Sequence, residues 1–483
     1  MIQQLEAESR KRKAEQGKMT NIEGRMSNLG PTPAGGRTDD GRLCHSSLDT
    51  RHFRLSAFRF PLLLCLFAAL APRASADDWP QWGGPQRDLV WREKGIVKKL
   101  PTSGLLPRKW SMPIAEGYGG PAVADGRVFV MDRVKKDGVE RVLCFDADTG
   151  KELWQHVYPV KYTVDYPAGP RATPTVDGDR VYSIGTQGDM YCLDVQRGNV
   201  LWHKNFPRDY QSKVPTWGMV AAPLVDGDQV IVLTGGTHYN SQVCSFDRQT
   251  GNELWRSLNH VEPGYCPPMM YTYQGVRQVI IWHPHAVTSL NPLDGEPYWT
   301  VKWKINFDLT VPTPRQHGNK LFLTSFYNGS MMLDLGLDGK TPKILWKGKS
   351  NSETRTDGLH SIMSTPWVTD TNIYGVCSYG QLRCLKAETG ERVWETFEAT
   401  GEGRWWNAFI IPHEDRYFLH NEQGDLIIAN LSPEGYKEIS RAKLVEPTRE
   451  VLERMTIWSH PAFAMKSVFA RNDKELVRVN LAE

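Results

Sequence analysis

Pro174-Thr-Val-Asp-Gly-Asp-Arg-Val-Tyr-Ser-Ile184, followed after a short break by Asp189-Met-Tyr-Cys-Leu-Asp-Val-Gln-Arg-Gly-Asn-Val-Leu-Trp202, decides how the whole chain is read. The same pattern runs from Pro121 to Trp154 and from Pro223 to Trp255. Weaker copies run from Pro268 to Trp299, Pro314 to Trp346 and Pro366 to Trp394. A seventh, from about Ala408 to Ile439, puts Ile439 where the others put Trp. The eighth starts at Pro461 and stops at the carboxy terminus, one strand short. Leu105 to Trp110, just before the first copy, ends in Trp and can supply that strand. Self-similarity at this period marks a radial or stacked repeat, and pairing the first strand with the last copy closes the ring and removes its exposed sheet edges.

Each copy has a physical reading. Alternation such as Val128 and Val130 against Arg127 and Phe129 predicts half-buried strands of period two. Asp125-Gly126, Asp177-Gly178 and Asp226-Gly227 suit tight hairpins that need positive φ. A second turn, Asp146 to Gly150, recurs as Asp194 to Gly198 and Asp247 to Gly251, and Trp follows each Gly by four residues. That spacing returns the indole to a fixed height, where it covers a neighbouring sheet. The tryptophans are read as structural first. The expected fold is all-β: an eight-bladed β-propeller of four-stranded antiparallel blades, closed by an N-terminal strand.

Composition agrees with this reading. The chain has 483 residues, a length that one propeller can use as a single domain, with 42 Gly, 31 Pro and 17 Trp. Residues 1–76 hold 12 Lys/Arg against 7 Asp/Glu, so that region's +5 leaves −2 for the remainder of a chain whose formal charge is +3. A nearly neutral remainder lacks the basic face that nucleic acid requires.

Arg51, Arg54 and Arg59 precede an apolar run from Phe60 to Ala71, and Ala74-Ser75-Ala76 follows. Residues 51–76 therefore read as a signal peptide, too short for a comfortable membrane span, with Asp77 the first mature residue. Residues 1–50 are polar and precede the signal where a signal should be the start. Either the true start lies downstream, or a disordered cytoplasmic tail precedes an uncleaved anchor; the first is favoured. Cys65 lacks the small residue expected before a lipidated Cys. Residues 77–483 are expected to form one propeller domain, a monomer in the periplasm or cell envelope with no membrane span after signal cleavage.

The unit [C/S]-[L/F]-D-x-x-[T/R]-G-x-x-[L/V]-W resembles the tryptophan-docking repeat of the PQQ-like β-propellers, the superfamily of quinoprotein alcohol dehydrogenases and of the BamB type of outer-membrane assembly lipoprotein. Asp78-Trp79-Pro80-Gln81-Trp82-Gly83-Gly84-Pro85 is similar to the opening of many exported bacterial members. In the dehydrogenases the resemblance implies PQQ held between a vicinal disulfide and a Trp, a Ca²⁺ bound by carboxylate and amide oxygens, and an Asp base. This sequence departs from that pattern, with no Cys-Cys pair and no Cys-x-x-Cys-His. Cys144, Cys192, Cys244 and Cys384 occupy matching strand positions and are expected to be buried free thiols. Pairing of Cys266 with Cys377 stays open.

Ligand residues are expected just before each blade's first strand, beside the channel where the units converge: Tyr118, Arg171, Trp217, His360, Trp405, Trp406, Asn407 and Trp458, with Tyr265, Arg355 and His460 as further candidates. Channel packing competes with ligand contact at each, and Trp405-Trp406-Asn407 stands out. His283-Pro284-His285 has the spacing of a metal pair but no identifiable third ligand. Glu116, Glu262, Asp308, Glu353, Asp357 and Glu402 read as solvated loop charges before they read as Ca²⁺ ligands or bases. Neither a catalytic residue nor a metal site is assigned. The expected function is a non-catalytic binding or scaffold module for a protein or glycan; the alternative is a PQQ-dependent oxidoreductase, with Ca²⁺, acting on an alcohol or sugar.

Overall fold

The computed structural model describes residues 78–260 and 262–483. The N-terminal extension, the 51–76 signal segment and Cys65 lie outside the described residues. Eight four-stranded antiparallel sheets form the fold, each with its strands in sequence order except the last. Blade 1 consists of strands Ala122–Ala124, Arg127–Val134, Val139–Asp146 and Glu152–Pro159. Blades 2 to 7 follow over 175–205, 224–257, 269–302, 315–347, 367–396 and 408–443. Blade 8 takes three strands from Ala462–Ala464, Ser467–Arg471 and Glu475–Asn480, and its outermost from Arg108–Pro113. Trp110 pairs with Arg478 and Met112 with Leu476, so the first strand completes the last sheet. The strand begins three residues later than the sequence suggests, because Leu105 instead bridges to Lys443 of blade 7.

Two expectations are corrected. Val128, Phe129, Val130, Met131 and Asp132 are all buried, so the second strand of blade 1 is covered on both faces and not one. Blades stack face to face, and an inner strand has no solvent side to present. In blade 7, Ile428 pairs with Ser440 and Ala429 with Glu438. Ser440 therefore occupies the tryptophan register, and Ile439 is the bulged residue. In blade 1 the same bulge lies between Trp154, opposite Cys144, and Glu152, opposite Phe145. Where the indole is missing, the chain's own N-terminal segment passes, and the Leu100 N–H donates to the Ser440 hydroxyl at 3.0 Å.

The periodic indoles join blade to blade. Trp110, Trp154, Trp202 and Trp346 donate their N–H to the carbonyls of Ala147, Val195, Arg248 and Ala387, each in the turn of the following blade. The Gly of that turn lies beneath the ring. At Gly251 (φ +71°) a Cβ would fall 2.7 Å from Trp202 Cδ2, so only glycine suits both the backbone and the ring. The leading Asp of the turn holds it open: Asp247 accepts from the N–H groups of Gln249 and Thr250 and from the Thr250 hydroxyl. All six cysteines among the described residues are free and buried, Cys266 and Cys377 included.

Residues 79–97 lie across one end of the ring. Trp79 exchanges backbone hydrogen bonds with Val123 of blade 1, and Pro80 accepts from Val176 of blade 2. The Arg87 guanidinium donates to the carbonyls of Pro223 and Pro268, at the entries to blades 3 and 4. Trp91 N–H reaches Pro412 of blade 7, Glu93 accepts from Lys466 N–H of blade 8, and Val97 N–H reaches Leu481. A segment bonded to blades on opposite sides of an eight-membered ring must cross its axis. It therefore plugs the channel at the face carrying the turns between first and second strands.

Trp202→Ala is expected to destabilise the protein by about 3–5 kcal/mol. Gly251→Ala should cost a comparable amount, and the double variant less than the sum, because the added methyl no longer meets the ring. Urea denaturation of the four proteins checks this; strict additivity would show that ring and glycine do not act together.

Candidate functional site

The connections from each outermost strand to the next blade's first strand gather at the face opposite the plug. They enclose a cup of about 200 Å³. Tyr118, Arg171, Trp217, Tyr265, Trp405, Trp458 and His460 line it, each from a connection between blades. Trp82, carried by the plug, also lines the cup, so the N-terminal segment turns an open channel into a dead end. Val220, Leu309, Val311, Ile362, Met363 and Phe409 supply the remaining apolar wall.

Five of the eight residues singled out from sequence (Tyr118, Arg171, Trp217, Trp405 and Trp458) are thus brought together. The other three lie elsewhere. His360 is buried, with Nδ1 3.1 Å from the Phe326 carbonyl and Nε2 3.4 Å from Asp357. Trp406 turns away and packs against Gly401, with the Arg454 guanidinium 5.2 Å from its ring. Asn407 is buried, and its carbonyl accepts from Glu422 N–H. Trp405 lies in a turn with φ +67°, and the chain leaving that turn carries Trp406 away from the cup. Tyr166, on the connection from blade 1 to blade 2, was not anticipated; nothing in that loop's sequence marks it.

Tyr166, Trp405 and Trp458 meet at the mouth with ring centroids 6.0–6.3 Å apart, all edge to face. Trp458 also stacks at 6.4 Å on Tyr118. Tyr118 in turn lies between two guanidinium groups, Arg449 at 3.9 Å and Arg171 at 4.8 Å. Burial, then opposed by the Arg449 charge, raises the Tyr118 pKa. Three arginines around the rim have carboxylate partners: Arg449 with Asp473, Arg404 with Glu353, and Arg454 with Glu422. Arg171 instead donates to the carbonyls of Gly169, Asp165 and Tyr166. His460 has Nε2 2.7 Å from the Thr173 hydroxyl and lies edge-on to Trp82 and Phe409. Burial lowers its pKa to about 4, so it is neutral at physiological pH.

The structure brings a third imidazole to His283 and His285. His260 lies 4.3 Å from the first and 5.0 Å from the second, with rings within 24° of parallel. Stacked in this way, the rings present faces to one another and their nitrogens do not converge. Among the described residues no group of three His, Cys, Asp or Glu is arranged to hold a metal ion. Burial, then the other two imidazoles, lowers the His283 pKa to about 3.

The family profile described as "Outer membrane protein assembly factor BamB" matches residues 138–396 and again 284–483. The chain belongs to this family. Among curated relatives of this BamB-family chain, the quinohemoprotein alcohol dehydrogenase ADH IIB of Pseudomonas putida is 25% identical over 260 residues, 49% of this chain and 34% of that protein. Outer membrane protein assembly factor BamB of Moranella endobia is 23% identical over 312 residues, 60% of this chain and 62% of that protein. The match thus spans less than two thirds of either relative. Among solved structures, BamB from Moraxella catarrhalis superposes with TM-score 0.53 at 17% identity, covering 77% of this chain and 97% of that one. Quinohemoprotein alcohol dehydrogenase from Comamonas testosteroni gives 0.57 at 12%, covering 84% and 81%. These superpositions show the shared propeller.

A Ca²⁺-assisted quinone does not fit this cup. None of its lining residues is Asp, Glu, Asn or Gln, so no side-chain carboxylate or amide oxygen faces the interior to bind Ca²⁺ or serve as a base. The rim carboxylates Asp473, Glu353 and Glu422 are held by arginines.

Burial of neutral His460 and His420, each with a pKa near 4 against an ordinary 6.5, predicts a pH dependence. The unfolded chain takes up protons between these values and the folded one does not. Stability conferred by the neutral rings is therefore complete above about pH 6.5 and lost as pH falls toward 4, at up to about 1.4 kcal/mol per pH unit for each ring. Urea midpoints across pH 4–7 should fall less steeply for His460→Gln than for the unmodified protein; identical slopes would refute the assignment.

Proposed function

We propose that this BamB-family chain is an exported, non-catalytic binding module of the cell envelope, and that its cup receives an apolar group of a protein partner. The supporting observation is a dead-end chamber lined by aromatic and branched side chains and without a carboxylate to act on a substrate. The basic, apolar and small-residue order of residues 51–76 supports export. A protein is favoured over a glycan because the wall offers few hydrogen-bonding groups. A sugar's hydroxyls would lose water there without replacement, which costs free energy for each unpaired group. An apolar side chain or chain end loses nothing comparable and gains from leaving water.

Indole, a neutral ring, is a suitable probe. Calorimetry should detect its binding, and Trp405→Ala should weaken it about tenfold with little change in thermal stability. Trp405 is the clean site for this test, because its indole N–H has no hydrogen-bond partner to lose. Trp202→Ala should do the reverse. Failure of indole to bind, or unchanged binding in Trp405→Ala, would reject the cup as the site. Added PQQ with Ca²⁺ should leave the melting temperature unchanged, since only a ligand of the native state raises it. A bound, redox-active quinone would overturn the non-catalytic reading.

A further inference from the structure

Arg171 is the one rim arginine described above without a carboxylate partner. A guanidinium carries five N–H donors, and three contacts to backbone carbonyls leave Arg171 with two. Glu140 lies close enough for its field to reach Arg171, but it accepts its hydrogen bonds from Tyr158, Tyr162 and the Thr186 N–H. Arg133 stacks 3.7 Å over that same Tyr162 ring and donates to the Pro167 carbonyl. Beneath the floor, the buried Arg87 is likewise held by neutral acceptors, the Gln81 amide oxygen and the carbonyls of Pro223 and Pro268. Carbonyl dipoles satisfy N–H groups without cancelling charge. The cup therefore combines an aromatic wall with one guanidinium that has no carboxylate partner, and none of its lining residues carries a carboxylate.

We propose that the cup binds a monoanion in which a carboxylate stands next to an aromatic or branched apolar group, with Arg171 as the carboxylate's anchor. The apolar body occupies the space among Trp405, Trp458 and Trp217, and the carboxylate reaches the guanidinium beside Tyr118 at the wall. Two sources carry this chemistry: a free aromatic or branched-chain acid, and the last residue of a polypeptide with its terminal carboxylate. Charge-assisted hydrogen bonds to Arg inside a low-dielectric wall give the carboxylate an advantage that its neutral amide lacks. This inference rests on the cup being a binding site and goes beyond it by fixing the charge of the occupant.

The test compares indole-3-acetate with indole-3-acetamide, and N-acetyl-Ala-Phe with its C-terminal amide, by calorimetry on the unmodified protein. Each carboxylate should bind about 10- to 100-fold more tightly than its amide, with the difference shrinking as salt rises. Arg171→Gln should abolish the difference and Arg171→Lys should retain part of it. The comparison within the unmodified protein stays informative even if Arg171→Gln loosens the loop that its carbonyl contacts hold. Preference for the free acid over the dipeptide, or the reverse, identifies the source, and either supports the proposal. Equal binding of acid and amide, a preference that survives Arg171→Gln, or no carboxylate binding up to about 10 mM would overturn it. If indole still binds in that case, the cup remains a binding site and only the anion assignment falls; if indole also fails, both fall.

Discussion

One contact, repeated around the ring, holds this molecule together: an indole on the outermost strand of one blade lies over the turn glycine of the next and donates its N–H to a carbonyl in that turn. Trp202 does so on Gly251 and Arg248, Trp154 on Gly198 and Val195, and Trp110 on Gly150 and Ala147. Each contact buries a large ring and satisfies its only polar atom. It also sets the angle between neighbouring sheets, since ring and turn meet at one height only. The turn in turn depends on an Asp side chain that replaces backbone partners, which explains why Asp, Gly and Trp travel together through the sequence.

Where the contact fails, the chain compensates with its own amino-terminal segment. Blade 7 has Ser440 in the indole's register, and residues 96–106 pass there. The same segment, a little earlier, crosses the axis and closes the channel, with Trp82 facing into the cup. Ring closure and channel closure are thus achieved by adjacent pieces of one strand-poor stretch. The plug buries Trp79, Trp91 and Ile96 in the core shared by blades 1, 7 and 8, and it also shapes the site into a chamber entered from one face.

The site is built mainly from the links before the eight blades, the part of each repeat that packing constrains least, with Phe409 of blade 7's first strand and Trp82 of the plug added. This separation lets relatives named as a dehydrogenase and as an assembly factor share the repeat pattern. In this chain the connections deliver aromatic rings, a neutral buried His460 and an Arg171 without a carboxylate partner, while the rim carboxylates Asp473, Glu353 and Glu422 are held by other arginines.

The repeat, the blade count and the N-terminal closing strand were legible from residue order, because each depends on local spacing: Gly to Trp by four residues, Asp-Gly at a hairpin, one missing strand to be supplied. Five cup residues were legible for a related reason, since the position before a first strand is itself set by the repeat. Trp406, Asn407 and His360 were misread as cup residues by that positional rule, because it does not tell which way a side chain turns. Tyr166 and Trp82 carry no periodic signal at all; a loop folding over the mouth and a segment crossing the axis put them in place. The two-sided burial of inner strands was hidden for the same reason, as alternation within one sheet does not record the sheet stacked against it. Local hydrogen bonding and chain spacing therefore determined the architecture, whereas the direction of side chains in irregular connections, and with it the chemistry of the cup, was decided only when eight blades and a plug converged on one axis.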